Sequence, residues 1–125
     1  MAEVIIQQLT LRRRSRLLEV SFDDGSHYQL PFEYLRVHSP SAEVQGHGPG
    51  EGVLVVGKQA VDIRAIEPVG QYAVRLVFDD GHDTGLYTWG YLHELAVNQQ
   101  AKWAQYLAKV ARASRASHGS SEQSS

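Results

Sequence analysis

The chain has 125 residues, no cysteine and a formal net charge of -2 at pH 7. The lack of cysteine excludes disulfides, thiolate catalysis and cysteine-based zinc or iron–sulfur sites. No apolar run reaches the roughly 18 to 20 residues that a membrane helix requires, and the charge gives no general attraction to nucleic acid. The first residues place their charge after the apolar stretch, which is the reverse of a secretory signal. We therefore expect a cytoplasmic protein without nucleic acid or membrane among its partners.

The first part of the chain alternates apolar and polar residues, which predicts strands over residues 4–30. Pro31 then suits the first position of a short helix, where its missing N–H costs little. A segment rich in glycine and proline, residues 39–52, predicts a loop without regular structure. Further strands are predicted at 53–56, 62–68, 72–78 and 82–87.

Two helices are predicted near the end of the chain. Thr88 is placed to cap the first through its side-chain oxygen, and Asn98 is placed to cap the second. We expect a domain over residues 1–97, a C-terminal helix over 98–117 and a disordered polar tail over 118–125. The expected fold class is α+β, with a mainly antiparallel twisted β-sheet from two related hairpin-plus-short-helix units and a C-terminal α-helix.

The motif Phe-Asp-Asp-Gly occurs twice, at residues 22–25 and 78–81. Asp-Gly between alternating apolar residues is a strong hairpin signal. A three-residue Asp-Asp-Gly loop, with the glycine in the left-handed region, keeps the apolar residues of both strands on one face. In the first copy this loop pairs Val20 with Tyr28 and Leu18 with Leu30.

The same loop in the second copy predicts which side chains point inwards. The predicted pairs are Leu76 with Thr84, Val74 with Leu86, and Phe78 with His82. This register turns His82 towards the core and Asp83 outwards. Asp79 and Asp80 are then solvated turn residues with unperturbed carboxylates, and not an acid/base pair.

The segments 35–43 and 62–95 resemble the family of small proteins similar to the N-terminal domain of gamma-butyrobetaine hydroxylase, formerly domain of unknown function 971. The chain looks like a stand-alone bacterial-type member, and the resemblance spans about residues 4–97. Its motifs are Leu35-Arg36, Ser39-Pro40, Ala42-Glu43, Glu67-Pro68, Gly70, Tyr72, Asp80-Gly81-His82, Gly85 and Tyr87.

In the hydroxylase this domain precedes a separate catalytic domain that uses iron and 2-oxoglutarate, and the present chain has no length for it. The resemblance therefore implies no enzyme activity of that kind. Similar domains are also fused to P-loop carriers that handle iron–sulfur clusters. This implies a link to metal or iron–sulfur biology.

Members of the hydroxylase type bind zinc through three cysteines and the histidine of the second hairpin. The matching cysteine positions are Ser39, Ser41 and Val44, while His82 matches the histidine. Serine is a poor zinc ligand and valine is none, so three of the four ligands are missing. Our hypothesis is that His82 hydrogen-bonds the hydroxyl of Ser39 or Ser41 where a metal once joined loop and hairpin.

Other side chains could rebuild a metal site around His82. His38, Glu43 and His47 are the candidates, and imidazoles with a carboxylate would suit iron or zinc. They lie in a glycine-rich loop with no helical or strand register to fix their spacing. We therefore expect no cofactor, with zinc or iron as the alternative.

The leading functional hypothesis is a non-catalytic cytoplasmic accessory or interaction module that binds a protein partner. The alternative is an iron- or zinc-binding protein that uses His82 with loop residues. Two surfaces bear on the first hypothesis. The apolar face of the last helix is a candidate docking surface, and the arginine cluster within residues 12–16 is interpreted as a solvated turn.

Overall fold

The computed structural model describes residues 5–40, 55–82 and 85–124, with side chains up to residue 114. Within these ranges six strands form two three-stranded antiparallel sheets, each with its strands in chain order. The strands are β1 (Ile6–Arg12), β2 (Leu17–Phe22), β3 (His27–Pro31), β4 (Ile63–Val69), β5 (Ala73–Phe78) and β6 (Leu86–Thr88). The helices are α1 (Phe32–Val37), α2 (Trp89–Val97) and α3 (Gln99–Ser124). The predicted α+β class with a C-terminal helix is confirmed, with two sheets in place of one.

The two Phe-Asp-Asp-Gly motifs form the tips of the β2–β3 and β5–β6 hairpins. The N–H of Phe22 donates to the carbonyl of Ser26 at 2.9 Å, and the N–H of Phe78 donates to the carbonyl of His82 at 3.0 Å. The glycines of the two motifs have φ of 89° and 90°. Both tips are therefore the predicted three-residue loops with a left-handed glycine.

The first hairpin has the predicted register, with Val20 opposite Tyr28 and Leu18 opposite Leu30. Leu18, Val20 and Leu30 are fully buried because these positions face the core. Alternation of apolar and polar residues was sufficient to fix this pairing.

The second hairpin departs from the predicted register by one residue. Val74 lies opposite Tyr87, and Arg75 lies opposite Leu86, so the predicted pairing of Val74 with Leu86 is wrong. Because Phe78 still bonds His82, one additional residue is accommodated on the strand leading into β6. The predicted partner Thr84 lies outside the described residues.

This shift exchanges the side chain that enters the core. Tyr87 is fully buried, whereas Leu86, which was predicted to point inwards, is 38% exposed. The burial of Tyr87 is compensated because its hydroxyl donates to the carbonyl of Leu35 at 2.6 Å.

The remaining boundaries differ modestly from those predicted. Residues 55–56 are not in a strand, and the other half of the predicted 53–56 strand lies outside the described residues. Pro31 ends β3 and precedes α1. The helix α3 extends from Gln99 to Ser124.

Both predicted caps lie at helix boundaries, but their side chains act differently. Thr88 Oγ1 accepts from the N–H of Tyr91 at 3.1 Å and caps α2, as predicted. The carbonyl of Asn98 accepts from the N–H of Lys102, which begins α3. Its side-chain amide donates back to the carbonyl of Glu94, so this side chain closes α2 instead of capping α3.

The hydrophobic core collects the inner faces of both sheets with residues of α1 and α2. Its largest fully buried side chains are Tyr34, Tyr87, Phe22, Phe32, Phe78, Leu18, Leu30, Leu35, Ile63, Leu76, Leu92 and Leu95. Trp103 of α3 packs against this core. In the part of the chain that the structure describes, no helix is both long enough and apolar enough to span a membrane.

Candidate functional site

The end of α1 and the tip of the second hairpin meet through Ser39 and His82. The Ser39 hydroxyl and His82 Nε2 lie 2.8 Å apart. Ser39 is fully buried and His82 is 8% exposed. The predicted inward orientation of His82 and its hydrogen bond to Ser39 are therefore confirmed, while Ser41 lies outside the described residues.

Gly85 allows the β5–β6 connection to lie directly against Ser39. A Cβ atom added at Gly85 would lie 2.3 Å from Ser39 Oγ and 3.2 Å from Pro40 Cδ. A side chain at this position cannot be accommodated without displacing the serine. Glycine is required at position 85 because the backbone there lies against Ser39 and Pro40, two residues that are distant in the sequence.

Tyr87 extends the buried network around Ser39. Its hydroxyl donates to the carbonyl of Leu35, so the hydrogen bond between Tyr87 and Ser39 is donated by the serine. Burial raises the pKa of Tyr87, and the bond from Ser39 opposes that rise. The Ser39 hydroxyl therefore joins the Tyr87 and His82 side chains within one buried hydrogen-bond network.

Asp80 forms an ionic cluster beside the His82 backbone. Its Oδ2 lies 2.9 Å from Arg36 Nε and 2.7 Å from Lys58 Nζ, and its Oδ1 accepts from the N–H of His82 at 3.1 Å. Burial raises the pKa of Asp80, but the Lys58, His82 and Arg36 bonds outweigh it and lower the pKa to about 2. The expectation of a solvated, unperturbed carboxylate is therefore wrong for Asp80.

Arg36 lies within this cluster as a mostly buried cation. Its guanidinium carbon is 6.0 Å from the centroid of the Phe78 ring. Arg36 Nη1 is buried and has no hydrogen-bond partner among the described residues. The side chain is held by Asp80 and by packing, so the ion pair fixes α1 against the second hairpin.

His38 has a separate environment from His82. Its Nδ1 contacts the carbonyl of Tyr34 at 3.0 Å, and its ring lies against the rings of Tyr34 and Tyr106. Burial lowers the pKa of His38, and the charge of Lys102 acts in the same direction. The other alternative ligands, Glu43 and His47, lie outside the described residues, as does Val44.

Ser39 and His82 do not fit the tetrahedral zinc that the resemblance implies. Ligands about 2.0 Å from a tetrahedral ion are separated by roughly 3.3 Å. The observed separation of 2.8 Å is that of a direct hydrogen bond. Within the described ranges, no group of three or more His, Asp or Glu side chains is arranged to hold a metal ion.

A second feature is an apolar groove beside α3, with a volume of about 470 Å³. It is lined by Pro31, Tyr34, Ala96, Val97, Gln99, Gln100, Trp103, Ala104 and Leu107. Tyr106 anchors the helix here because its hydroxyl donates to the carbonyl of Val55 at 2.6 Å and its ring stacks on Trp103. The groove includes the apolar face that the sequence offered as a docking surface.

A family model described as gamma-butyrobetaine hydroxylase-like, N-terminal, matches residues 9–93, which is more than half of the chain. The chain belongs to this family. No curated protein matches it.

Solved structures of similar proteins have the same fold. Two NMR solution structures are 55% and 50% identical to the chain, with TM-scores of 0.78 and 0.77. Each covers 90% of this chain, which in turn covers 83% and 89% of theirs. A crystal structure of a DUF971-family protein of unknown function from Acidithiobacillus ferrooxidans ATCC 23270 is 40% identical, with a TM-score of 0.61. That match covers 73% of this chain and 91% of the other.

Proposed function

We propose that this gamma-butyrobetaine hydroxylase-like domain is a non-catalytic accessory module that acts by binding a protein partner. The observation that carries the proposal is the burial of the Ser39–His82 pair. A catalytic serine must present its oxygen to a substrate, whereas this oxygen is fully buried and hydrogen-bonded to His82.

The polar groups around this pair serve to join elements of the fold. Tyr87 ties β6 to the end of α1 through Leu35, and Asp80 holds Arg36 and Lys58. This arrangement supports a rigid binding scaffold, because these hydrogen bonds and ion pairs join α1, residue 58 and the second hairpin inside the protein. We place the module in the cytoplasm, and the family resemblance suggests that its partner belongs to metal or iron–sulfur biology.

The test is quantitative pull-down from the source cells with the full-length chain as bait, repeated with untagged chain added as competitor. A reproducibly enriched protein that the untagged chain displaces supports the proposal. Recovery of no such protein, together with turnover of a small molecule that Ser39→Ala abolishes, would overturn it.

The alternative is an iron or zinc site that includes His82. One observation favours it: His82 contacts Ser39, which lies just before the segment that carries Glu43 and His47. A metal would have to displace the Ser39 hydroxyl from His82 Nε2. Metal analysis of protein purified without a histidine tag tests this alternative, and stoichiometric zinc or iron that is lost in His82→Asn would support it.

A further inference from the structure

Four arginines form an exposed patch where the β1–β2 turn meets β4. Arg13, Arg14 and Arg16 belong to the turn, and Arg64 belongs to β4; we call these four residues the arginine patch. Arg13 Nη2 donates to the carbonyl of Arg64 at 2.9 Å. This bond crosses from the first sheet to the second, and it gathers charges that are distant in the sequence.

The arginine patch differs from the exposed Arg12 and Arg75, which each have an acidic partner. Arg12 pairs with Glu19, and Arg75 pairs with Glu67. No carboxylate among the described residues forms an ion pair with any member of the arginine patch. Its positive charge is therefore available to an external anion.

The backbone at Arg16 provides an independent observation. Arg16 has φ of 55°, and it is the one residue other than glycine with positive φ in the described part of the chain. Side chains are disfavoured in this left-handed region, where glycine carries no such penalty. Strained positions that retain a side chain are concentrated at functional sites.

We propose that the arginine patch binds a segment of the protein partner rich in aspartate and glutamate; this inference rests on the proposed function. Guanidinium groups suit carboxylates because they form paired, charge-assisted hydrogen bonds. Several closely spaced arginines favour an acidic run over a single carboxylate.

The rest of the chain disfavours nucleic acid as the ligand. The patch supplies four of the twelve basic residues, which leaves eight against fourteen acidic residues elsewhere. This net negative charge of the remaining chain disfavours a long polyanion, which would extend beyond the roughly 10 Å over which the patch acts. The turn also contains no aromatic residue on which a base could stack.

The first test separates binding from folding with Arg16→Gly. This substitution removes a charge and also relieves the backbone, so the melting temperature should rise while affinity for an acidic peptide falls. If the Arg16 side chain instead stabilises the fold, Arg16→Gly will lower the melting temperature. That result would contradict the inference.

The second test measures binding of a short fluorescent peptide of glutamate and aspartate by anisotropy. The double variant Arg14→Gln/Arg16→Gln should bind about tenfold more weakly, whereas Arg12→Gln/Arg75→Gln, with the same change in charge, should change affinity less than about twofold. Equal losses in the two variants, or no binding by the wild type, would overturn the inference. Tighter binding of single-stranded RNA of equal charge would overturn the assignment to a protein ligand.

The same two variants distinguish this inference from the proposed function. If a partner captured from the source cells binds both variants equally, the arginine patch is not its contact site, while the proposed function stands. If no displaceable partner is captured and catalytic turnover is found, the proposed function itself fails.

Discussion

His82 and Ser39 show how two residues can hold together parts of the fold that are 43 positions apart in sequence. Both are buried, so their hydrogen bond is shielded from competing water. Tyr87 donates its own hydrogen to the carbonyl of Leu35 and joins the same network through Ser39. The hydrogen bond at His82 Nε2 therefore depends on the serine hydroxyl.

Removal of the Ser39 hydroxyl should abolish this buried hydrogen bond at His82 Nε2. We expect Ser39→Ala to lower the free energy of unfolding by about 1–3 kcal/mol, measured by urea denaturation. The matched control is Ser21→Ala, because Ser21 contacts His27 at the same distance of 2.8 Å but on the surface. Ser21→Ala should lower the free energy of unfolding by less than about 1 kcal/mol. Equal losses for Ser21→Ala and Ser39→Ala would contradict a special role for the buried pair.

The ionic cluster at Asp80 should make stability depend on pH. The pKa of this carboxyl is about 2 in the folded protein against an ordinary value of 3.8, so its stabilisation is complete above pH 3.8 and is lost as pH falls towards 2. Asp80→Asn should cost roughly 2 kcal/mol at neutral pH and flatten the stability profile in that acidic window.

The control for this measurement is Asp24→Asn, at the same turn position of the first repeat. Asp24 accepts from Ser26 as Asp80 accepts from His82, but it is fully exposed and has no Arg or Lys partner among the described ion pairs. A loss for Asp24→Asn as large as that for Asp80→Asn would show that the turn, and not the cation cluster, determines the effect.

At the scale of elements, hairpin tips were predictable because Asp-Asp-Gly specifies a local backbone conformation. The register of the first hairpin followed from alternation, since the buried Leu18 and Val20 of β2 each have an apolar partner across the strand pair. The second register was not predictable in the same way. Both Leu86 and Tyr87 are plausible core residues, and a distant acceptor, the carbonyl of Leu35, favours Tyr87.

The close approach of β6 to α1 predicts a large effect at Gly85. Alanine there would place a Cβ 2.3 Å from Ser39 Oγ, so Gly85→Ala should break the Ser39–His82 bond and lower the melting temperature. Gly90→Ala is the control, because a Cβ at Gly90 meets nothing within 4 Å and alanine favours the helix by up to about 1 kcal/mol. Equal tolerance of both substitutions, with the His82 ring signals unchanged, would contradict this account.

At the scale of the whole molecule, the chain repeats one arrangement of three strands followed by a helix. β1–β3 lead into α1, and β4–β6 lead into α2. In the sequence, the repeat could be recognised only at the Phe-Asp-Asp-Gly turns and at the short helices that follow them. Its first strands were harder to match, since β1 and β4 share little beyond their alternation of apolar residues.

Only the part of the candidate site that follows from local sequence patterns and from the resemblance could be predicted. The contact between His82 and Ser39 followed from the inward side of a hairpin and from the family resemblance. Lys58 gave no signal, because it lies in a segment without regular structure and reaches Asp80 only in the folded chain. Arg36 likewise becomes part of the site through tertiary packing.

The central claim is that His82 joins the second hairpin to α1 through a hydrogen bond to Ser39 and not through a metal. The most direct test is nitrogen-15 NMR of the His82 ring in the untagged chain, before and after addition of excess zinc. We predict that both ring nitrogen shifts of His82 stay unchanged by zinc. A zinc-dependent shift of Nε2 that is complete at one equivalent would contradict the claim.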